Sequence, residues 1–317
     1  MISIRNVSKS YEGAGAAAVR DLSFDVPAGE VVVLIGPSGC GKSTTMRMVN
    51  RLVEPDAGTI TIDGRDVREY RPEQLRRHIG YAIQGVGLFP HWTVAQNVAV
   101  VPGLLGWERE RVTERTAELL ELVGLEPGGY GRKYPHELSG GEAQRVGVAR
   151  ALAADPPVLL MDEPFGAVDP LTRDRLHAEF RAIQDRLKKT VLFVTHDMDE
   201  AVTLGDRIVV MRDGMLVQQD TPERVLAYPA DAFVASFVGA ERALKRLSLA
   251  PVTEALDPPG LARACDCSVG STASLREALA RILELGVPAI DVHDEHGARI
   301  GTVSVESIVE RFKRPLT

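Results

Sequence analysis

The stretch that decides the fold is Val31-Val-Val-Leu-Ile-Gly-Pro-Ser-Gly-Cys-Gly-Lys-Ser-Thr44. Residues 31–35 are apolar and mostly β-branched, which predicts a short buried strand. Residues 36–43 follow at once and fit the pattern G-x-x-x-x-G-K-[ST], in which glycines let the backbone wrap closely around a phosphate. A buried strand that leads directly into such a loop predicts a site for the phosphates of a nucleotide.

The loop and the segment after it supply the chemistry of a triphosphate site. Lys42 provides a positive charge for the β- and γ-phosphates, and the Ser43 hydroxyl is a ligand for Mg²⁺. A helix that begins near Ser43, with Met46, Val49 and Leu52 on one face, adds the positive end of its dipole. The predicted nucleotide-binding residues of this stretch are Gly36, Pro37, Ser38, Gly39, Cys40, Gly41, Lys42, Ser43 and Thr44.

Length and composition limit the kind of protein. At 317 residues the chain is long enough for one large domain and a smaller one. Its 44% hydrophobic and 26% charged residues are ordinary for a globular protein. A net charge of −7 without a dense Lys/Arg block argues against nucleic acid as a partner. No run of about 18 apolar residues is present, so we do not expect the chain to span a membrane by itself.

Two further buried strands are predicted, and each ends in a polar group. Residues 158–161 lead into Asp162 and Glu163, and this pattern resembles a Walker B strand, whose first carboxylate orders Mg²⁺ and its water. Residues 191–194 lead toward His196. Because ligands of such sheets bind at the C-terminal ends of parallel strands, we expect these groups and the loop to form one site.

The remaining patterns predict the surrounding architecture. Short apolar runs and turns over 1–35, with a strand at 59–62 closed by Asp63-Gly64, indicate an antiparallel β layer beside the nucleotide strand. From 86 to 155 the spacing of apolar residues becomes helical. The predicted class is therefore an α/β fold with a P-loop NTPase core, an antiparallel β layer and a helical subdomain.

One motif is not needed by the first site. Leu138-Ser-Gly-Gly-Glu-Ala-Gln-Arg145 places Ser139, Gly140 and Gly141 at the start of a helix, which makes a second set of N–H groups for an anion. With this stretch the chain resembles the ATP-binding subunits of ABC transporters, in which the signature completes the ATP site of a second subunit. The resemblance covers roughly residues 1–240, and it implies ATP as the ligand and a homodimer of the ATPase subunits.

The resemblance also implies roles for other nucleotide-site residues. Tyr11 matches the aromatic residue that stacks on adenine, and Gln84 matches the Q-loop glutamine. Ala167-Val-Asp169 looks like the D-loop, with Asp169 close to the nucleotide. Glu142 stands where the family most often has Gln, and we expect it to be compatible with function.

The catalytic and metal groups follow from the same resemblance. Glu163 matches the base that orients the attacking water, and His196 matches the switch histidine at the γ-phosphate. The expected ligands of Mg²⁺ are Ser43, Gln84 and Asp162.

The family also implies partners and a location. Its members power integral-membrane permease subunits, which dock on the helical region that follows Gln84. An extracytoplasmic substrate-binding protein is an indirect partner. We therefore expect a peripheral protein on the cytoplasmic face of the inner or plasma membrane, with no nucleic-acid partner.

A narrower resemblance points to a substrate class. Residues 79–93, 101–107, 233–239 and 244–247 look like the osmoprotectant importers that take up glycine betaine, carnitine or choline. An importer of another amine or of an amino acid remains an alternative, because such relatives share much of this sequence. A non-transport ABC ATPase of DNA repair or translation is disfavoured, since those proteins usually carry long coiled-coil insertions or two cassettes in one chain.

The last part of the chain is predicted to be separate. Residues 241–261 are assigned to a linker, because Pro251, Pro258, Pro259 and Gly260 interrupt the pattern. Over 262–317 the order β-α-β-β-α resembles one CBS motif, with predicted helix faces formed by Leu275, Leu279, Ile282, Leu283, Ile308, Val309 and Phe312. Ser307 stands where the adenosine-binding versions carry Asp, so a dimer contact and a ligand sensor both remain open for this tail.

Overall fold

The structure is a computed structural model that describes residues 1–313 except 14, 84, 86, 167 and 258–266. The chain divides into two compact units, Met1–Pro222 and Glu223–Thr317, which are described separately below. Among the described residues, none of the helices combines the length and the apolar character needed to cross a membrane.

The first unit alternates strands and helices along most of its length. Its strands are β1 Ile2–Lys9, β2 Val19–Val26, β3 Val31–Ile35, β4 Ala57–Ile62, β5 Arg65–Asp66, β6 Ile79–Ala82, β7 Val158–Asp162, β8 Thr190–Thr195, β9 Arg207–Arg212 and β10 Met215–Asp220. Its helices are α1 Lys42–Val49, α2 Pro72–Arg77, α3 Val94–Leu104, α4 Arg109–Leu122, α5 Pro127–Tyr130, α6 Gly140–Leu152, α7 Pro170–Leu187 and α8 Met198–Leu204.

A six-stranded sheet, in the order β10-β9-β3-β8-β7-β6, forms the centre of this unit. Strand β3 pairs in parallel with both β8 and β9, and β7 pairs in parallel with β8 and β6. Every residue of β3, β7 and β8 is buried, which explains why these strands are continuous apolar runs rather than alternating ones. The three buried strands predicted from the sequence are therefore confirmed.

The predicted antiparallel β layer is also present, as the four-stranded sheet β2-β1-β4-β5. The turn from β4 to β5 is made by Asp63 and Gly64, whose φ angles are 49° and 81°. Two successive positive φ angles define a hairpin turn whose twist matches that of the strands, and Asp-Gly suits it because both residues tolerate this region.

The predicted helical region corresponds to α3, α4, α5 and α6. Helix α3 begins with a capping box, in which the Thr93 side chain accepts from the N–H of Gln96 and the Gln96 side chain accepts from the N–H of Thr93. In α4 the residues Leu119 and Leu120 are at most 1% exposed, so they form part of the buried face of this helix.

One predicted helix face is wrong at its end. Helix α1 ends at Val49, so Leu52 lies beyond it and is 49% exposed. Arg51, with φ of 48°, takes the left-handed conformation that ends many helices. The N–H of Leu52 then bonds the carbonyl of Arg47, which turns the chain away from the core.

The second unit contains α9 Pro222–Ala227 at the division between the units, α10 Ala232–Val238, α11 Arg242–Leu249, β11 Ser268–Gly270, α12 Leu275–Leu285, β12 Ala289–His293, β13 Arg299–Ser304 and α13 Val305–Lys313. The predicted order β-α-β-β-α is present from β11 to α13. Strand β12 lies in the middle of the sheet, parallel to β11 and antiparallel to β13. Residues of the strands and of α12 and α13 share one apolar core, which includes Leu275, Ile282, Ile290, Val292, Val303 and Ile308.

The segment predicted to be a linker is more ordered than expected over its first part. It contains α11 and a helical turn over Val252–Ala255, and Leu247, Ala250 and Val252 are buried in the core of the second unit. The division into two compact units falls at 222/223. The proline- and glycine-rich residues 258–260 lie outside the described residues.

Two residues of the predicted tail faces point away from this core. Leu283 is 69% exposed and Val309 is 49% exposed, whereas their neighbours Ile282 and Ile308 are buried. Adjacent residues of a helix are about 100° apart around its axis, so only one of each pair can face the sheet.

The neighbouring residues Ile282 and Leu283 give a matched test of the second unit's core. Ile282→Ala should lower the local unfolding free energy by about 2–5 kcal/mol, because it removes fully buried methyl groups. Leu283→Ala is the control and should change that free energy by less than about 0.5 kcal/mol. Native-state hydrogen exchange of the β12 amides measures both effects, and equal losses would contradict the assigned core.

Candidate functional site

The loop over residues 36–43 joins β3 to α1 and lies close to neighbouring backbone. A Cβ on Gly36 would collide with the carbonyl of Met211, and one on Gly41 would collide with the carbonyl of Ala18. Gly41 also has a φ of 104°, which L side chains rarely adopt. The two glycines are therefore required by close approach as well as by the turn into the helix.

The cationic group of the loop is fixed inside it. Lys42 is only 6% exposed, and its Nζ donates hydrogen bonds to the carbonyls of Gly36 at 2.7 Å and Pro37 at 3.0 Å. Cys40 is buried beside it, and this burial raises the pKa of the thiol. The loop therefore holds its positive charge at a set position rather than on a freely moving side chain.

A cavity of about 530 Å³ opens at the loop. Its volume lies in the range of small-molecule sites. Residues from the loop, from the ends of two neighbouring strands and from the segment before β2 line it, namely Ala18, Ser38, Gly39, Gly41, Lys42, Ser43, Thr44, Glu163 and His196. Of these, Ala18 was not predicted from the sequence, because alanine carries no functional group by which a motif could be recognised.

The end of β7 places a buried carboxylate beside the loop. Asp162 is 4% exposed, and its Oδ1 accepts a hydrogen bond from the Ser43 hydroxyl at 3.3 Å. Burial raises the pKa of Asp162 above its ordinary value, the nearby charge of Glu163 adds to the rise, and the Ser43 hydrogen bond opposes it. A carboxylate that is desolvated in this way favours a nearby cation.

The Ser43 hydroxyl and the Asp162 carboxylate are oxygen donors of the type that Mg²⁺ prefers. A hydroxyl oxygen and one carboxylate, completed by phosphate oxygens and water, is a usual Mg²⁺ environment. Within the described part of the chain, no cluster of three or more His, Cys, Asp or Glu side chains is arranged to hold a metal. A metal held between Ser43 and Asp162 would therefore take its other ligands from a bound phosphate group or from water.

Glu163 follows Asp162 with an unusual backbone. Its φ is 46°, in the left-handed region, and its N–H donates to the carbonyl of Val194 on β8. This conformation costs about 1–2 kcal/mol for a residue other than glycine. The Glu163 Oε1 lies 3.4 Å from the Nδ1 of His196, and both side chains line the cavity. The strained turn thus brings a carboxylate and an imidazole together at the cavity wall.

The signature segment opens α6 as predicted. Ser139 is the residue before the helix, and it forms a capping box with Glu142, whose Oε2 accepts from the Ser139 N–H at 2.7 Å. Gly140 and Gly141 are the first two residues of the helix. None of these three predicted residues is among those that line the cavity of the same chain.

Glu142 has a partner that the sequence did not reveal. The Tyr130 hydroxyl donates to its Oε1 at 2.6 Å. This bond, together with the bonds from Ser139, lowers the pKa of Glu142 to about 2. The side chain is therefore ionised at neutral pH, and its charge strengthens the hydrogen bonds at the start of the signature helix.

The structure describes only some of the remaining predicted residues. Tyr11 is 41% exposed and is not among the residues that line the cavity. Asp169 precedes α7, and its side chain accepts from the N–H of Thr172 at 3.1 Å. Gln84 and Ala167 lie outside the described residues, so their placement stays a prediction.

A second cavity, of about 460 Å³, lies in the helical region. Helices α3 and α4 and the segment from α5 to Gly131 form its walls, and most of its surface is apolar. The lining residues are Ala95, Gln96, Ala99, Arg109, Val112, Thr113, Thr116, Ala117, Leu120, Pro127 and Gly131.

Comparison with known proteins gives consistent results. A family model described as ABC transporter matches residues 19–166. The chain is 48% identical over 314 residues to the choline transport ATP-binding protein OpuBA of Bacillus subtilis, covering 99% of this chain and 81% of the relative. It is 46% identical over 310 residues to the glycine betaine uptake system ATP-binding protein YehX of Escherichia coli, covering 98% of this chain and 99% of the relative.

A solved structure shares the fold. The ATP-binding cassette MJ0796, in a dimeric post-hydrolysis state bound to ADP and Pi, has a TM-score of 0.63 and 32% sequence identity to this chain. The match covers 70% of this chain and 99% of that structure.

The buried carboxylate gives a test that needs no ligand. Asp162→Asn should raise the Tm by a few degrees at pH 7, because the folded state no longer holds a desolvated charge. The pKa of Asp162 is raised on folding. The Tm difference between Asp162→Asn and the unaltered chain should therefore narrow as the pH falls through that raised pKa, and it should vanish below the ordinary carboxyl value of about 3.9.

Asp66→Asn is the matched control for this measurement. The pKa of Asp66 is lowered by its hydrogen bond from Arg68, so its charge stabilises the folded state above the ordinary carboxyl pKa. Its replacement should therefore lower the Tm at pH 7. A lower Tm for both variants in thermal unfolding would contradict the assignment at Asp162.

Proposed function

The chain belongs to the ATP-binding subunits of ABC transporters, and from this premise we propose that it powers an importer of quaternary amine osmoprotectants such as glycine betaine, carnitine or choline. One observation carries the ATPase part of the proposal: the phosphate-binding loop, Glu163 and His196 line a single cavity. The substrate class is supported by relatives that are named for choline and for glycine betaine transport.

In this proposal the loop and its neighbours bind MgATP. The backbone N–H groups of residues 36–44 and the Lys42 ammonium hold the phosphates, and Tyr11 stacks on the adenine. Ser43 and Asp162, with Gln84, hold Mg²⁺, which neutralises charge on the phosphates. The raised pKa of Asp162 supports this role, because a cation relieves the burial of its charge.

Glu163 and His196 then act on the bound phosphate. Glu163 is the general base that orients and deprotonates the attacking water, as its place at the cavity wall supports. His196 faces the γ-phosphate, and its Nδ1 lies 3.4 Å from the Oε1 of Glu163, which supports a joint role for the two groups.

We propose that the complete site needs two copies of the chain. Ser139, Gly140 and Gly141 of one subunit, with Asp169, face the ATP held by the loop of the other subunit. The capping box supports this, since it orders the start of α6, where N–H groups and the helix dipole favour an anion. ATP then favours the closed dimer because it contacts both subunits only in that state.

The closing motion must reach membrane partners. We propose that a permease segment docks on the helical region, and the apolar cavity between α3 and α4 offers a concave surface of suitable size. The protein would then lie on the cytoplasmic face of the membrane, as a peripheral subunit whose importer also uses an extracytoplasmic substrate-binding protein.

We further propose that the tail is a single CBS-like motif that pairs with the tail of a second subunit. The Ser307 hydroxyl donates to the carbonyl of Ser304, so it is engaged within the start of α13. Among the residues that the structure describes, a cavity of about 410 Å³ beside it is lined by four carboxylates, from Glu254, Asp257, Glu306 and Glu310, and by the cation Arg311. This charge disfavours the phosphates of adenine nucleotides and supports a structural role.

Replacement of the proposed base tests the catalytic assignment. Glu163→Gln should retain ATP binding but lower the hydrolysis rate by about 10²–10⁴-fold, the usual effect of losing a positioned base. The variant should accumulate as an ATP-bound dimer in size-exclusion chromatography. The double variant Glu163→Gln/Ser139→Arg is the control, and it should bind ATP while remaining monomeric. Near-normal ATP hydrolysis by the single variant would contradict the assignment of Glu163 as the general base.

The substrate class is tested by uptake in cells. A strain that lacks this gene, grown at high salt, should lose uptake of labelled glycine betaine or choline, and the intact gene should restore it. The Lys42→Ala gene is the control and should not restore uptake, because the phosphate-binding cation is missing. If uptake of these amines is unchanged by deletion, with other transporters excluded, the importer serves another solute such as an amino acid.

A further inference from the structure

We infer that Arg173 is a positioning residue that ties the loop around Asp169 to the switch histidine His196, so that the two segments move as one during hydrolysis. The inference rests on the proposed ATPase function and extends it to a residue outside the nucleotide cavity. Arg173 lies in the first turns of α7, four residues after Asp169.

The guanidinium of Arg173 bridges two segments. Its Nη2 donates to the carbonyl of Val168 at 2.9 Å, and its Nη1 donates to the Oδ2 of Asp197 at 3.3 Å. Val168 is 6% exposed and immediately precedes Asp169. One planar cation therefore holds the loop backbone and the carboxylate together at a fixed separation.

The Asp197 end of this bridge is itself fixed. Its Oδ1 accepts from the N–H of Asp199 at 2.8 Å and caps α8, while its own N–H donates to the Thr195 hydroxyl at the end of β8. Asp197 also follows His196 directly, and His196 lies 3.4 Å from Glu163. A displacement of His196 would thus be transmitted through Asp197 and Arg173 to the backbone next to Asp169.

The packing of α7 on α8 does not depend on Arg173 alone. His177, one turn later, contacts Glu200 at 2.9 Å, and both side chains are buried. Arg181, a further turn on, donates to the carbonyl of Leu204 at 3.0 Å and to Asp206 at 3.2 Å. Residues 173, 177 and 181 thus form a row along α7, but only the first of them bonds the loop at Val168.

This row supplies a matched control. Arg173 and Arg181 have similarly part-buried side chains, 27% and 37% exposed, and each links α7 to a carboxylate and a backbone carbonyl. Loss of either should lower the Tm by a similar small amount. Only the loss of Arg173 should separate the loop from the switch segment.

The experiment compares Arg173→Ala, Arg173→Lys and Arg181→Ala in the full chain, with ATPase rates measured against ATP concentration and Tm measured in parallel. Arg173→Ala should lower kcat by about 10- to 100-fold, as small misplacements of catalytic groups do, and should bring the Hill coefficient for ATP toward 1. The KM for ATP should stay within about twofold, because the loop that binds phosphate is unchanged. Arg173→Lys should recover part of kcat, since an ammonium can keep one of the two acceptors.

Arg181→Ala should keep kcat and the Hill coefficient near those of the unaltered chain. Equal kcat for Arg173→Ala and Arg181→Ala would overturn the inference, and so would a change in KM alone. If the unaltered chain does not hydrolyse ATP, the proposed function fails and this inference fails with it. An active unaltered chain whose kcat is matched by that of Arg173→Ala rejects the inference only.

Discussion

The site depends on the register of three parallel strands. Ile35, the last residue of β3, pairs with Thr195, the last residue of β8, and Asp162 at the end of β7 pairs with Val194. The three strands therefore end within one residue of each other, at one edge of the sheet. Because each strand is buried on both faces, this alignment is held by the whole core, and the loop, the carboxylates and His196 meet without long connecting segments.

Sequence patterns predicted the parts of this arrangement that are local. The buried strands, the glycine loop and the start of α6 each occupy a few consecutive residues with strong preferences, so their positions were found correctly. Predictions of which residue faces the core failed at Leu52, Leu283 and Val309, since a turn or a neighbouring apolar residue decides that direction. The Pro and Gly residues after 250 suggested a linker over 241–261. Apolar residues in the first part of that segment, such as Leu247 and Val252, instead pack into the core of the second unit.

Other features could not be read from one sequence because they join residues that no motif relates. Tyr130 reaches Glu142 across a loop of the helical region, and Arg173 reaches both Val168 and Asp197. Each is a polar residue of ordinary type, and only the fold gives it a partner. The charge of Glu142 is thereby accounted for, because its carboxylate receives hydrogen bonds from a hydroxyl and from a helix start where negative charge is favoured.

The left-handed backbone of Glu163 has a consequence for protein engineering. Glycine or asparagine adopts such a φ more easily than glutamate, so either would relieve strain at this position. A library screened only for heat resistance would therefore enrich these residues at 163 and discard the carboxylate that lines the cavity. Thermostable variants of this chain should accordingly be sought with position 163 held constant, because selection for stability alone would favour residues other than the proposed catalytic base.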